Sequence, residues 1–162
     1  LVNLDNRSDQ ARQNIDVVLK QRQDELTKLI DAATEYMEHE REVLTELTEA
    51  REQAERASTP GEEAAADQQI RQALGSFRAR MEAYPELRSQ ENLLQFQSRI
   101  SALENQIADR REVYNESVTQ YNTRIEQFPY LFFARQFGYE ERELFEATEE
   151  EKADVDVGEA FA

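Results

Sequence analysis

Carboxylates and histidines on a helix can bind a metal ion, but few residues in this chain are suited to such a site. The chain holds one histidine, His39, with Glu35 four residues before it and Glu42 three residues after it. Residues at these spacings share a helix face, so a weak single-metal site can be drawn. A di-iron site in a helical bundle needs a Glu-x-x-His motif on each of two helices, which one histidine excludes. We interpret this group as a solvated charged face and expect no metal and no cofactor.

Residues for nucleophilic or phosphate chemistry are also missing from the sequence. The chain has no cysteine, no serine within a Gly-x-Ser-x-Gly motif and no glycine-rich loop that could hold a phosphate. Its 35 acidic residues produce paired carboxylates at every spacing, so such a pair says nothing about catalysis. We therefore expect a protein that is not an enzyme and has no catalytic residues.

Three polar residues accompany an apolar helical pattern and are candidates for a polar seam. Arg110 occupies a position of that pattern, and Asn115 and Asn122 each follow one of its tyrosines by one residue. A buried polar group without a partner costs about 1–3 kcal/mol, so each of these side chains needs a partner. One interpretation is a polar pocket within a bundle. The other, which we favour, is a network that sets the register of the helices.

Aromatic side chains cluster near the end of the chain and are candidates for a partner contact. Phe132, Phe133, Phe137 and Tyr139 fall within eight residues of one another, and Phe145 follows. A short helix cannot easily bury Phe132 and Phe133 on the same side. The structural interpretation is a cap that closes the open end of a bundle. The alternative is an exposed patch for a partner protein or a lipid surface.

Long helices must position all of these residues. Apolar residues recur at steps of three and four through residues 5–57, 62–83 and 89–128, which is the period of amphipathic helices. Four glycines and three prolines leave few places for a break. A shorter fourth helix is expected after Pro129, broken or capped near Gly138. The sequence thus predicts an all-α protein, a long antiparallel up-and-down four-helix bundle.

The pattern also predicts where these elements begin, bend and end. The first segment is one helix or two in series, and any bend should fall near residues 36–40. Thr59, Pro60 and Glu62 are typical of an N-cap, a first helical position and a capping glutamate. Because the second helix is shorter than the third, we expect the start of the first helix to project as a stalk. The domain is assigned to residues 1–148, and the acidic residues 149–162 are expected to be disordered.

The net charge of −16 limits the partners of the chain. It argues against nucleic acid, which requires a basic surface, and against charge-driven binding to anionic lipids. Only three of the 19 basic residues are lysines. Abundant carboxylates with few lysines favour adaptation to concentrated salt, where self-repulsion is screened. The alternative is an ordinary acidic protein.

Several stretches, taken in order, resemble the LemA family. The similar residues are Ile15-Asp16-Val17 with Leu19-Lys20-Gln21-Arg22, Tyr36 with His39-Glu40, Tyr84-Pro85-Glu86-Leu87 with Glu91-Asn92 and Leu94-Gln95, Tyr114-Asn115, Tyr121-Asn122-Thr123-Arg124-Ile125, Phe128-Pro129, and Phe137-Gly138-Tyr139 with Leu144-Phe145. Gln23 and Thr27 depart from the pattern, since members often carry His and Pro there. Any role of the His is therefore absent from this chain at Gln23, and a proline bend at Thr27 is not expected.

The resemblance implies an antiparallel helical bundle behind a single N-terminal membrane helix, with no established molecular function. No run of about 18 apolar residues occurs in this chain, which is the length that a membrane helix needs. The first residue is Leu1 rather than Met, so we expect the anchor to precede it. The resemblance therefore implies a single-pass protein of the cell membrane with its soluble domain in the cytoplasm.

Composition and resemblance together predict a membrane-tethered helical scaffold or protein-interaction domain. Its partner would be another membrane-associated protein rather than a nucleic acid. The alternative is a sensor of a small ligand or metal, or an enzyme, that uses the polar seam.

Overall fold

The computed structural model describes residues 1–127 and 130–145, and helices dominate both ranges without any strand. The predicted all-α class is therefore confirmed. The helices are α1 (Val2–Tyr36), α2 (Arg41–Arg56), α3 (Pro60–Met81), α4 (Pro85–Arg88), α5 (Glu91–Glu126) and α6 (Tyr130–Phe137). The predicted helix end at Phe128 and Pro129, the domain boundary at 148 and the disorder of 149–162 lie outside the described residues.

The break between α1 and α2 lies where a bend was expected, but the chain reverses there. The side chain of Arg51 on α2 reaches back to Thr27 on α1, with 2.6 Å between Nε and Oγ1. The expectation of two helices in series was therefore wrong. The apolar periodicity of the two segments could not predict this reversal. It is the same whether the four residues between them form a bend or a hairpin turn. The break also places Glu35 and Glu42 on different helices, so these residues and His39 share no helix face.

The start of α3 is capped as predicted. The Thr59 hydroxyl accepts a hydrogen bond from the main-chain N–H of Glu62, and Pro60 stands in the first turn. The Glu62 carboxylate in turn accepts from the main-chain N–H of Ser58 at 3.0 Å. Side-chain oxygens thus satisfy main-chain donors that a helix start leaves without partners.

The core runs along the whole contact between α1 and α5. Leu4 at the start of α1 packs in the cluster of Tyr121 and Ile125 at the end of α5. Ile15 packs with Tyr114 and Val118. The start of α1 is therefore covered by α5, and the predicted projecting stalk does not form. With 35 and 36 residues, both helices are about 53 Å long, so α5 can accompany α1 to its beginning.

The largest part of the core lies at the other end of α1. There α2 and α3 join α1 and α5 around apolar residues that include Leu29, Leu47, Phe77 and Leu93, each at most 1% exposed. The 22 residues of α3 span only about 33 Å. Because α3 is shorter than α1 and α5, it does not reach the whole surface of these two helices. The chain after α6 covers the part that α3 leaves open.

Candidate functional site

Residues 139–145 follow α6 without helical structure and return along α5; we call them the strap. The side-chain amide of Asn122 donates to the main-chain oxygen of Arg142 at 3.1 Å and accepts from its N–H at 2.8 Å. The amide of Asn115 binds the main chain of Phe145 in the same way, with both distances at 2.9 Å. Each asparagine thus satisfies the main-chain donor and acceptor of one strap residue, as a neighbouring β-strand would.

The spacing of the two asparagines matches the geometry of the strap. Seven residues of an α-helix rise about 10.5 Å, and three residues of extended chain advance about 10 Å. Asn115 and Asn122 therefore reach strap residues that are three positions apart, Arg142 and Phe145. The heptad repeat of Tyr-Asn thus places tyrosines in the core and asparagines on the strap. The sequence showed this repeat but not its partner, because the paired residues lie 20 and 30 positions away.

Two tyrosines that precede these asparagines also contact the strap. The hydroxyl of Tyr114 donates to the main-chain oxygen of Glu143 at 3.1 Å. The rings of Tyr114 and Phe145 meet edge to face, with centroids 5.2 Å apart. Tyr121 and Tyr139 form a similar pair at 6.4 Å. Such edge contacts stabilise by about 0.5–1.5 kcal/mol each beyond the burial of area.

Strap side chains connect three helices. Arg142 lies 2.7 Å from the carboxylate of Asp5 and 2.6 Å from that of Asp9, both on α1. The carboxylate of Glu143 accepts a hydrogen bond from the main-chain N–H of Gly61 in the first turn of α3. A Cβ atom on residue 61 would lie 2.8 Å from that carboxylate, so Gly61 permits the close approach of Glu143.

A buried network of ion pairs lies between α1, α3 and α5. Asp67 lies 2.8 Å from the guanidinium of Arg22 and also binds Arg111. Arg12 donates to both carboxylate oxygens of Glu63. Arg22 and Asp67 are only 3% and 5% exposed, and burial lowers the pKa of Arg22 to about 10. Removing one partner of such a group is strongly destabilising, because the other charge stays buried.

The network also contacts the end of the strap. The guanidinium carbons of Arg12 and Arg111 lie 5.4 Å and 4.6 Å from the ring centre of Phe145. A cation at this distance from an aromatic ring is attracted to its face. Phe145 therefore joins the strap to the charged centre of the bundle.

The predicted polar seam separates into two parts. Asn115 and Asn122 bind the strap, whereas Arg110 donates to the main-chain oxygen of Asn14 on α1 at 2.7 Å. The buried charges are those of Arg22, Glu63 and Asp67, and the partly buried Arg111 joins them; sequence reasoning missed all four. A signal was present, because Arg22 lies between Val18 and Leu26 at four-residue steps, in the middle of an apolar stripe.

Helix α6 exposes most of the predicted contact residues. Phe132, Phe133 and Phe137 are 62%, 45% and 68% exposed. Tyr139 instead packs with Leu1 and Leu4 against the cluster of Tyr121, Ile125 and Ala134. One helix of 8 residues can turn only one side to the bundle, and Ala134 occupies that side. Ala134 and Tyr139 therefore cover this end of the bundle. The three phenylalanines are exposed, and we call them the α6 patch.

The described residues form a helical domain in which the aromatic helix α6 is exposed and the strap is extended. The sequence matches the family model of the LemA family over residues 11–158. The chain belongs to the LemA family, as its sequence motifs indicated. Within the described ranges, no helix combines the length and the apolar character needed to cross a membrane.

Two kinds of curated proteins are similar to this chain in sequence. Protein LemA of Metamycoplasma hominis is 28% identical over 158 residues, which cover 95% of this chain and 71% of that protein. Magnetosome proteins MamQ 1 and MamQ 2 of Paramagnetospirillum magneticum are each 32% identical over 74 residues, or 46% of this chain. The matched segment spans only 27% of each MamQ protein.

Proposed function

We propose that this domain is a non-enzymatic scaffold tethered at a membrane, where the α6 patch contacts another membrane-associated protein. The observation that carries the proposal is the exposure of Phe132, Phe133 and Phe137 on one short helix. A helix that is apolar around most of its surface is normally covered. Clustered exposed apolar side chains accordingly mark interaction sites in soluble domains.

The position of α6 supports contact close to a membrane. Ala134 on α6 shares a cluster with Leu1 and Leu4 at the start of α1. The resemblance to the LemA family implies one N-terminal membrane helix. A helix joined to this end of α1 would hold the α6 patch within reach of other membrane proteins. A single-pass anchor in the cell membrane with the domain in the cytoplasm belongs to the same proposal.

The proposal also includes a long antiparallel up-and-down bundle of α1, α2, α3 and α5. Contacts between successive helices support it. Thr27 and Arg51 join α1 to the returning α2, and Glu40 and Arg80 join the beginning of α2 to the end of α3 at 2.9 Å. Helices about 50 Å long suit a scaffold, because they can hold a partner at a distance from an anchor.

Site-directed photo-crosslinking in native membranes tests the contact. The anchored full-length protein would carry a photoreactive phenylalanine analogue at position 132 or 137, and molar salt would be kept throughout. We expect a discrete protein adduct from both positions. Substitution of the remaining phenylalanines of the α6 patch by serine should abolish the adduct, after circular dichroism has verified the helical content.

Matched controls come from single apolar residues that are exposed elsewhere. Leu94 and Val113 on α5 are 49% and 56% exposed, so the same analogue at these positions reports non-specific contact. Equal adducts from positions 94, 113, 132 and 137 would contradict the proposal. So would adducts to lipid alone from positions 132 and 137.

One observation favours the ligand-sensor alternative. A cleft of about 340 Å³ beside α1 is lined by three basic side chains and by four carboxylates, namely Lys20, Arg22, Arg51, Asp16, Asp24, Glu55 and Glu63. Within the described residues, the buried Nε of Arg22 has no hydrogen-bond partner. An anion in this cleft would raise the melting temperature. Melting curves with inorganic phosphate test this, using Lys20→Ser as the cleft variant and the exposed Lys28→Ser as its control.

A further inference from the structure

The strap is held largely through its main chain. Asn115 and Asn122 together make four hydrogen bonds to main-chain atoms of Phe145 and Arg142. Tyr114 adds a fifth, to the main-chain oxygen of Glu143. Every peptide carries the same main-chain groups except at proline, so these five bonds would form with an extended chain of another sequence.

Two side-chain subsites give the same surface a preference. Asp5 and Asp9 bind the guanidinium of Arg142, which selects a basic residue. Tyr114, Arg12 and Arg111 surround the ring of Phe145, which selects an aromatic residue. The subsites lie three residues apart along the strap, as the spacing of the asparagines requires. We call this surface of α1 and α5 the strap groove.

The strap can leave this groove without breaking a helix. It follows Gly138, whose φ of 75° suits a residue without a side chain. Arg142, Leu144 and Phe145 are only half-buried, and Glu140, Glu141 and Glu143 are exposed. The strap therefore contributes less to the core than any of the long helices.

One contact of the strap is unfavourable. Glu141 lies against Glu126 at the end of α5, and its hydrogen bond and charge raise the pKa of Glu126. Two carboxylates that share a site repel each other when both are ionised. A peptide with an uncharged residue at the position of Glu141 would avoid this repulsion and would fit the groove better than the strap does.

We propose that the strap groove is a binding site for an extended peptide of another protein, with a basic residue followed three positions later by an aromatic one. The strap is its resident occupant, and a ligand must displace it. Peptide binding by strand-like pairing takes affinity from the main chain and specificity from alternate side chains. In the strap groove, two asparagines bind the main chain of the peptide, as the edge of a sheet does in strand-like pairing, and the two subsites bind its side chains. The inference is independent of the α6 patch.

Fluorescence anisotropy with a labelled peptide tests the groove. The probe has the sequence of residues 138–145 with glutamine in place of Glu141. The receptor is the full chain carrying Arg142→Ser and Phe145→Ser, which removes both side-chain anchors of the strap and leaves the groove intact. We expect this released chain to bind the probe at least about tenfold more tightly than the unaltered chain, since displacement no longer opposes binding.

Two further variants locate the binding. Asn115→Ala with Asn122→Ala in the released chain should weaken binding at least about tenfold, because four main-chain hydrogen bonds are lost. A probe with serine in place of its arginine and phenylalanine should bind no better than a scrambled one. Circular dichroism must show native helical content for each receptor.

Three outcomes would overturn the inference. A helical released chain that does not bind the probe excludes the groove as a receptor. Equal binding after the asparagine substitutions places the probe elsewhere. A dimer of the unaltered chain that is lost in the released chain would assign the groove to the strap of a second copy rather than to another protein.

Discussion

Asn115 on α5 and Phe145 in the strap exchange two hydrogen bonds of 2.9 Å. Asn115→Ala leaves the N–H and C=O of Phe145 without these partners at a partly buried position. We expect the free energy of unfolding to fall by about 1–3 kcal/mol, measured by urea denaturation. The exposed Asn105 lies on the same helix, so Asn105→Ala is the matched control and should not destabilise. Equal effects of the two substitutions would contradict the role of Asn115.

Asp67 pairs with two arginines, the buried Arg22 and the partly buried Arg111. Asp67→Asn removes the negative charge between them, so the buried guanidinium of Arg22 loses its ion-pair partner. We expect a loss of about 3–5 kcal/mol in the free energy of unfolding. The exposed Asp109→Asn should change it by less than about 0.5 kcal/mol. A small effect of Asp67→Asn would show that solvent reaches the network.

Phe137 and Tyr139 lie two residues apart but differ in exposure. Phe137 is 68% exposed, so Phe137→Ser should change the free energy of unfolding by less than about 0.5 kcal/mol. Tyr139 packs against Tyr121, so Tyr139→Ser should destabilise by about 1–3 kcal/mol. Thermal denaturation of both variants gives the comparison. The reverse order would mean that the α6 patch is part of the core.

Glu40 links the α1–α2 break to α3 and predicts a dependence on pH. A hydrogen bond from the Tyr84 hydroxyl at 2.7 Å, together with Arg80, lowers the pKa of Glu40 below its ordinary value of 4.5. A lowered pKa stabilises the folded state above the unfolded value, so this stability is lost as the pH falls below about 4.5 and through the folded value. Urea denaturation between pH 6 and 3 should show a shallower decline for Glu40→Gln. The neighbouring Glu38→Gln is the control and should behave like the unaltered chain.

The net charge of −16 predicts stabilisation by salt, and the predicted salt adaptation is tested by the same measurement. Raising KCl from 0.1 M to 1 M shortens the Debye length from about 10 Å to about 3 Å, which screens repulsion between the carboxylates. The melting temperature should rise steeply over this range. Sucrose at equal osmolality is the control, and an equal rise with sucrose would show that charge screening is not the cause.

Periodicity predicted the helices well because their apolar stripes are long. It also located the cap at Thr59 and the break after Tyr36, since both depend on neighbouring residues. It placed Arg110 in the seam, and the structure leaves Arg110 and Arg111 both half-buried, with Arg110 bonded to α1 and Arg111 to Asp67 on α3.

The candidate site was predicted only in part. The sequence drew attention to Asn115, Asn122 and the α6 phenylalanines, but it could not assign partners. Hydrogen bonds of Asn115 and Asn122 join residues 30 and 20 positions apart, and no local pattern records such pairs. The same limit applies to Arg22 and Asp67, which are 45 positions apart (67 minus 22).

The sequence by itself determined the helical class, the apolar seam of α5, the acidic surface and membership of the LemA family. These properties follow from spacings within a few turns or from composition. Tertiary structure alone decided that the chain reverses after α1, that Asp67 lies between two arginines and that the asparagines hold a strap. Each of these depends on which distant segments come together, because packing and hydrogen bonding act through space and the helical period acts along the chain.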